Sequence, residues 1–177
     1  AVTGTMLIAG DRPDIAVILV GANDVTARNG VRASAGRLRS AVSRLRAIDA
    51  QVVVGTCPDF GVITAIPQPL RSVLRIWGMR LAARQKAAVV SAGGRAVPMA
   101  DLLAEDFRDA PDRMFSFDRY HPSADGYGLA ADILLPEVLA ALGEWGPEPL
   151  PEPPEVSPSV DNSKLTERIL RIARTVR

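Results

Sequence analysis

His121 is the only histidine among the 177 residues, and Asp118 stands three positions before it in SFDRYHPSADGYG (116–128). Imidazole is the side chain best suited to take up and return a proton near neutral pH. A carboxylate at this spacing can accept a hydrogen bond from one ring nitrogen, which sets the tautomer and frees the other nitrogen to work on a reacting hydroxyl. A second group of polar residues closes an apolar run in VGAND (20–24). Gly21 would let the backbone turn sharply and admit a substrate closely. The Asn23 carboxamide could donate to a developing oxyanion, a kind of donor whose loss from comparable sites costs about 3–4 kcal/mol. Each feature also has an ordinary explanation. An Asp–His pair can be a surface contact, Asn23 or Asp24 can cap a helix after a strand, and Gly21 can be a turn glycine.

Whether these residues act together depends on the elements that carry them. DIAVILVGAND (14–24) and QVVVGTCPD (51–59) are apolar runs without polar alternation, and AAVVSAGG (87–94) repeats the pattern more weakly. Such runs suit strands buried on both faces of a parallel sheet. Leu38, Val42, Leu45 and Ile48 follow helical spacing between the first two runs, with arginines on the other face. Leu70, Val73, Leu74, Trp77 and Leu81 do the same between the second and third. After the histidine, Ser123 is placed to cap a helix reaching Leu142, with Tyr127, Ala130, Leu134 and Val138 inward and a kink or break expected at Pro136. Strand and helix alternate, so the predicted class is α/β with right-handed crossovers. Ligands in such sheets bind at the carboxyl edge of the strands. Gly21–Asp24 and Cys57–Asp59 fall there, and the Asp118–His121 loop can reach it.

Gly-x-Asn-Asp after a buried strand, followed in order by Asp-x-x-His-Pro, resembles the SGNH (GDSL-type) hydrolases over about residues 11–143. The resemblance implies a three-layer α/β/α sandwich with a mainly parallel, flavodoxin-like sheet. It also implies a serine esterase or lipase that works through an acyl-enzyme on a small-molecule or lipid ester and needs no metal or organic cofactor. On that reading Asp118 and His121 are the acid–base pair, and Gly21 and Asn23 serve the oxyanion. The family's nucleophile is the serine of Gly-Asp-Ser, and no Gly-Asp-Ser occurs in this sequence. The family places that block further upstream of the asparagine than the 22 residues that precede Asn23, and Gly4 stands too close to serve as the second oxyanion glycine. The expectation is therefore an SGNH-like domain over 1–143 that lacks its N-terminal strand or strands. Ser91, Ser116 and Ser123 are poorly placed substitutes, and a Cys57 thiolate paired with His121 is conceivable. Two other readings stay open: a non-catalytic α/β remnant that binds a ligand or partner, and a metal-assisted hydrolase using His121 with Asp59 or Asp118.

Composition narrows the partners. The formal net charge of +1 offers no overall field for nucleic acid. One cysteine rules out an internal disulfide framework. No apolar run reaches the roughly 18 residues of a membrane span, and the first residues do not read as a signal peptide. Residues 144–160 are rich in proline and glutamate and read as a linker. Residues 161–177 form a basic amphipathic pattern, expected as a C-terminal helix that docks on its own domain or touches a membrane surface or partner. The apolar stretch DFGVITAIPQPLRSVL (59–74) suggests an acyl pocket or lid built around Ile63 and Ile66.

Overall fold

The computed structural model describes residues 12–143. The linker 144–160 and the basic segment 161–177 lie outside the described residues, as does Gly4. Three strands form one parallel sheet in the order β1 (Ile15–Leu19), β2 (Gln51–Gly55), β3 (Arg95–Val97). Register runs from Ile15 opposite Gln51 to Leu19 opposite Gly55, and from Val53 opposite Arg95 to Gly55 opposite Val97. Successive side chains of a strand point to opposite faces. Val52 and Val54 therefore meet one layer, with Leu38, Val42, Leu45 and Val89, while Val53 meets another, with Phe107, Leu129 and Ile133.

The first layer is built from α2 (Val31–Arg46) and α3 (Leu70–Ser91), the crossovers from β1 to β2 and from β2 to β3. The second is built from α4 (Met99–Asp109), the short α5 (Pro111–Met114) and α6 (Ala124–Leu142), with a five-residue α1 (Ala22–Thr26) at the end of β1. Both faces of the central strand are covered, which is why its valines need no polar alternation. The α/β/α sandwich is as expected. β1 is the margin of the sheet among the described residues, with Val17 and Leu19 half exposed.

Four details differ from the sequence reading. Residues 87–91 are the last turn of α3, and the third strand is the short run that follows it. AAVV satisfies both periodicities, but Leu81, Gln85 and Val89 are spaced to share one buried helical face, and Gly93, at φ +80°, ends the run. Leu70, Val73 and Tyr127 are exposed, because the faces of their helices that meet the core are carried by other residues. Ile63 and Ile66 are buried in the main core beside Phe60 and Val25. Their apolarity serves packing and does not line a lid. Helix α6 continues through Pro136.

Candidate active site

At the end of β1 the backbone of Gly21 takes φ 126°. A Cβ on this residue would stand 2.5 Å from the Cβ of Cys57 and 2.7 Å from its Cα. Glycine is required twice over here, once by the dihedral and once by the approach of the turn after β2. That turn is held in turn by Gln85, a buried residue of α3 whose Oε1 accepts the Cys57 N–H at 2.8 Å.

The tight passage from strand to helix leaves Asn23 exposed in α1, with no hydrogen bond to its carboxamide among the described residues. Its neighbour Asp24 does the holding. Asp24 Oδ1 accepts from Asn29 Nδ2 at 3.0 Å and from Ser34 Oγ at 2.8 Å, with Arg37 at 3.6 Å. This network fastens α1 to α2. Sequence reasoning did not assign these roles to Asp24 and Gln85. Gln85 left one trace, a polar residue at buried helical spacing.

The Asp118–His121 loop is a compact clamp. Phe115 and Pro122 form an antiparallel bridge, and the Ser116 N–H donates to the His121 carbonyl at 2.8 Å. Asp118 Oδ1 accepts the backbone N–H groups of Tyr120 at 2.9 Å and His121 at 3.0 Å, and the Ser116 hydroxyl at 2.8 Å. Its other oxygen, Oδ2, lies 2.6 Å from His121 Nδ1. The His121 hydrogen bond, then the two amides and the hydroxyl, hold this carboxyl well below the usual carboxylate range. An ionised Asp118 can only accept, so Nδ1 carries the hydrogen and Nε2 is the free basic nitrogen, on a side chain 66% exposed. The loop passes into α6 through Ser123, which accepts the Gly126 N–H at 3.1 Å as an N-cap.

The orientation of α6 decides which edge receives His121. Glu137, late in α6, pairs with Arg95 at the start of β3, at 3.2 Å. Helix α6 thus runs against the strands, and its N-terminus lies toward their carboxyl edge, where Gly21 and Asn23 stand. The four residues singled out in the sequence are brought to one edge, without a hydrogen bond between Asn23 and His121.

The substitute nucleophiles fare differently. Cys57 is fully buried, and its thiol is pushed up to about 12, chiefly by burial and then by the charges of Asp24 and Asp59. Its thiolate is not available to pair with His121 near neutral pH. Ser91 lies in the last turn of α3 and bonds the Ala88 carbonyl, Ser116 serves Asp118, and Ser123 caps α6. Asp59 is held by the Arg75 guanidinium at 3.2 Å and by the Gly61 N–H at 2.7 Å. It is a structural carboxylate that orders the turn after β2.

The model of the GDSL-like lipase/acylhydrolase family matches residues 4–129. The chain belongs to this family. A GDSL-like esterase of Mycobacterium tuberculosis is 56% identical over 149 residues, which are 84% of this chain and 48% of the relative. The GDSL-like chain thus spans about half the length of the curated relative it matches. Among solved structures, an alpha/beta hydrolase from the metagenome of Lake Arreo, Spain, superposes with a TM-score of 0.57 at 16% identity, over 76% of this chain and 62% of its own. A catalytic mutant of an acetylxylan esterase from Geobacillus stearothermophilus gives 0.57 at 20%, over 75% and 60%. These structures share the fold of the GDSL-like chain. No helix among its described residues is long and apolar enough to cross a membrane.

Proposed function

We propose that this chain carries the acid–base pair and an oxyanion donor of a serine ester hydrolase that forms and hydrolyses an acyl-enzyme. The observation that carries the reading is the 2.6 Å contact between His121 Nδ1 and an Asp118 carboxylate fixed by three further donors. Nε2 would take the proton of a serine hydroxyl during attack on the ester carbonyl and return it to the leaving alcohol. A water would then repeat the cycle and release the acid. Asp118 stays ionised and stabilises the imidazolium. The Asn23 carboxamide donates to the oxyanion, and Gly21 lets that turn approach the reacting carbon. The nucleophile of this scheme is a Gly-Asp-Ser serine presented beside β1, whose outer edge is unpaired among the described residues. In the Geobacillus esterase, catalytic mutants replace a serine, an aspartate and a histidine. Their residue types are the ones this scheme requires. The substrate would be a small-molecule or lipid ester.

A second reading is a non-catalytic α/β domain that binds a ligand or partner. The observation in its favour is that no Gly-Asp-Ser occurs in the 177 residues. Fluorophosphonate labelling of the protein from its natural source, followed by peptide mapping and intact mass, separates the two. The hydrolase reading expects label on one serine, and no label or ester turnover when His121→Ala is introduced into the same gene. Absence of label and turnover in the natural protein would establish the second reading instead.

A further inference from the structure

The net charge of +1 conceals a strong separation. Helix α2 carries five basic residues and no acidic one, and α3 again carries five and none. On the opposite layer, α4, α5 and α6 together carry eight acidic residues against two basic. The two basic helices pack on the same side of the sheet, because β1 to β2 and β2 to β3 step in one direction through right-handed crossovers. Arg32, Arg39, Arg44, Arg80, Arg84 and Lys86 are exposed on them and form no ion pair among the described residues.

Charge is only half of this face. Helix α3 turns Gly78, Leu81 and Gln85 inward. At 3.6 residues per turn, the ridge opposite carries Ile76, Arg80, Ala83, Ala87 and Val90, flanked by Val73. Val73, Ile76 and Val90 are 54%, 55% and 59% exposed. A helix lying on a globular domain ordinarily turns polar residues outward. Here the outer ridge carries aliphatic side chains around one arginine, Arg80, with Arg84 and Lys86 exposed on the same helix, and it lacks carboxylates.

We infer that the outer face of α2 and α3 docks on an anionic lipid surface, with the α3 ridge resting among the headgroups. Arginine and lysine meet the lipid phosphates while their stems lie along the same apolar surface as Val73, Ile76 and Val90. Two features single out this occupant. A second copy would bring one basic face against another, which like charges oppose. Nucleic acid would match the cations but not the aliphatic ridge, which offers no aromatic platform for bases. An anionic bilayer answers both the charge and the apolar area. The inference is independent of the hydrolase reading, since it rests on residues outside the catalytic edge.

Co-sedimentation of the 177-residue chain with vesicles tests it, comparing phosphatidylcholine alone with phosphatidylcholine mixed with phosphatidylglycerol. The chain should pellet with the mixed vesicles only, and added salt should release it. Arg80→Glu combined with Arg84→Glu should lower partitioning by about tenfold or more, given the pull of each cation near an anionic surface. Val73→Ser with Ile76→Ser should lower it severalfold. All four positions are exposed, and unchanged circular dichroism would show that the variants keep the fold. Failure of the wild-type chain to pellet with mixed vesicles overturns the inference. So does undiminished pelleting of the charge-reversed variant, which would place the contact on another part of the chain. Salt-sensitive binding of duplex DNA without vesicle binding, or self-association through this face without lipid, would overturn it in favour of another occupant.

Discussion

Glu137 pairs with Arg95 at 3.2 Å, joining the late half of α6 to the first residue of β3. Partly exposed ion pairs of this kind contribute no more than about 1 kcal/mol, and α6 is held on the sheet by Leu129, Ile133 and Leu134. The value of the contact is in its direction. A helix pinned by its C-terminal half at the amino end of a strand must begin at the carboxyl end. The His121 loop therefore shares an edge with Gly21 and Asn23.

Gly21→Ala should unfold at lower denaturant. The added methyl would meet Cys57 at 2.5 Å, against a neighbour whose Cα stands nearly as close, in a backbone conformation that side chains rarely adopt. Strain and overpacking together should cost about 2–4 kcal/mol. Urea unfolding measures this directly, and a loss under half a kilocalorie would mean that the turn can move aside.

Asp24→Ala removes the acceptor shared by Asn29, Ser34 and Arg37. Ser34 is buried, so its hydroxyl would lose a partner that water cannot easily replace. A loss of about 1–3 kcal/mol is expected. Hydrogen exchange should show faster opening of α1 than of β2. Equal acceleration in both would mean that Asp24 does not position the Asn23 turn in particular.

Asp118 sets the acid limit of the His121 loop. Its folded pKa is depressed, first by His121 and then by two amides and Ser116. Its stabilising contribution is therefore complete above the unfolded value of about 4, declines progressively below it, and is gone once pH has fallen through the lower folded value. An NMR titration following the Tyr120 and His121 amides should show the carboxylate's hydrogen bonds surviving well below pH ~4. Their loss at or above that pH would show that these donors do not favour the ionised form.

Cys57 should be inert in the folded chain. With its thiol pushed up to about 12 and no exposed surface, a disulfide reagent at mildly alkaline pH should leave it unmodified, and denaturant should make it react at once. Rapid native reaction would restore the thiol as a candidate nucleophile.

The sequence by itself determined the α/β class, the first two strands and the helix capped by Ser123, and it named the four candidate site residues. These rest on local periodicity, capping chemistry and short spacing, which tertiary packing leaves intact. Asp118 and His121 can meet because they are three residues apart on one turn. The limits of α3 and the third strand were not legible, since AAVV suits a strand as well as a helix and only the buried face shared by Leu81, Gln85 and Val89 decides. Equally hidden were the jobs of Asp24 and Gln85, whose partners Ser34 and Cys57 are distant in sequence. Buried polar groups find partners wherever the fold brings them. The separation of a basic face from an acidic one was invisible in a net charge of +1. It follows from right-handed crossovers that put α2 and α3 on the same side of the sheet.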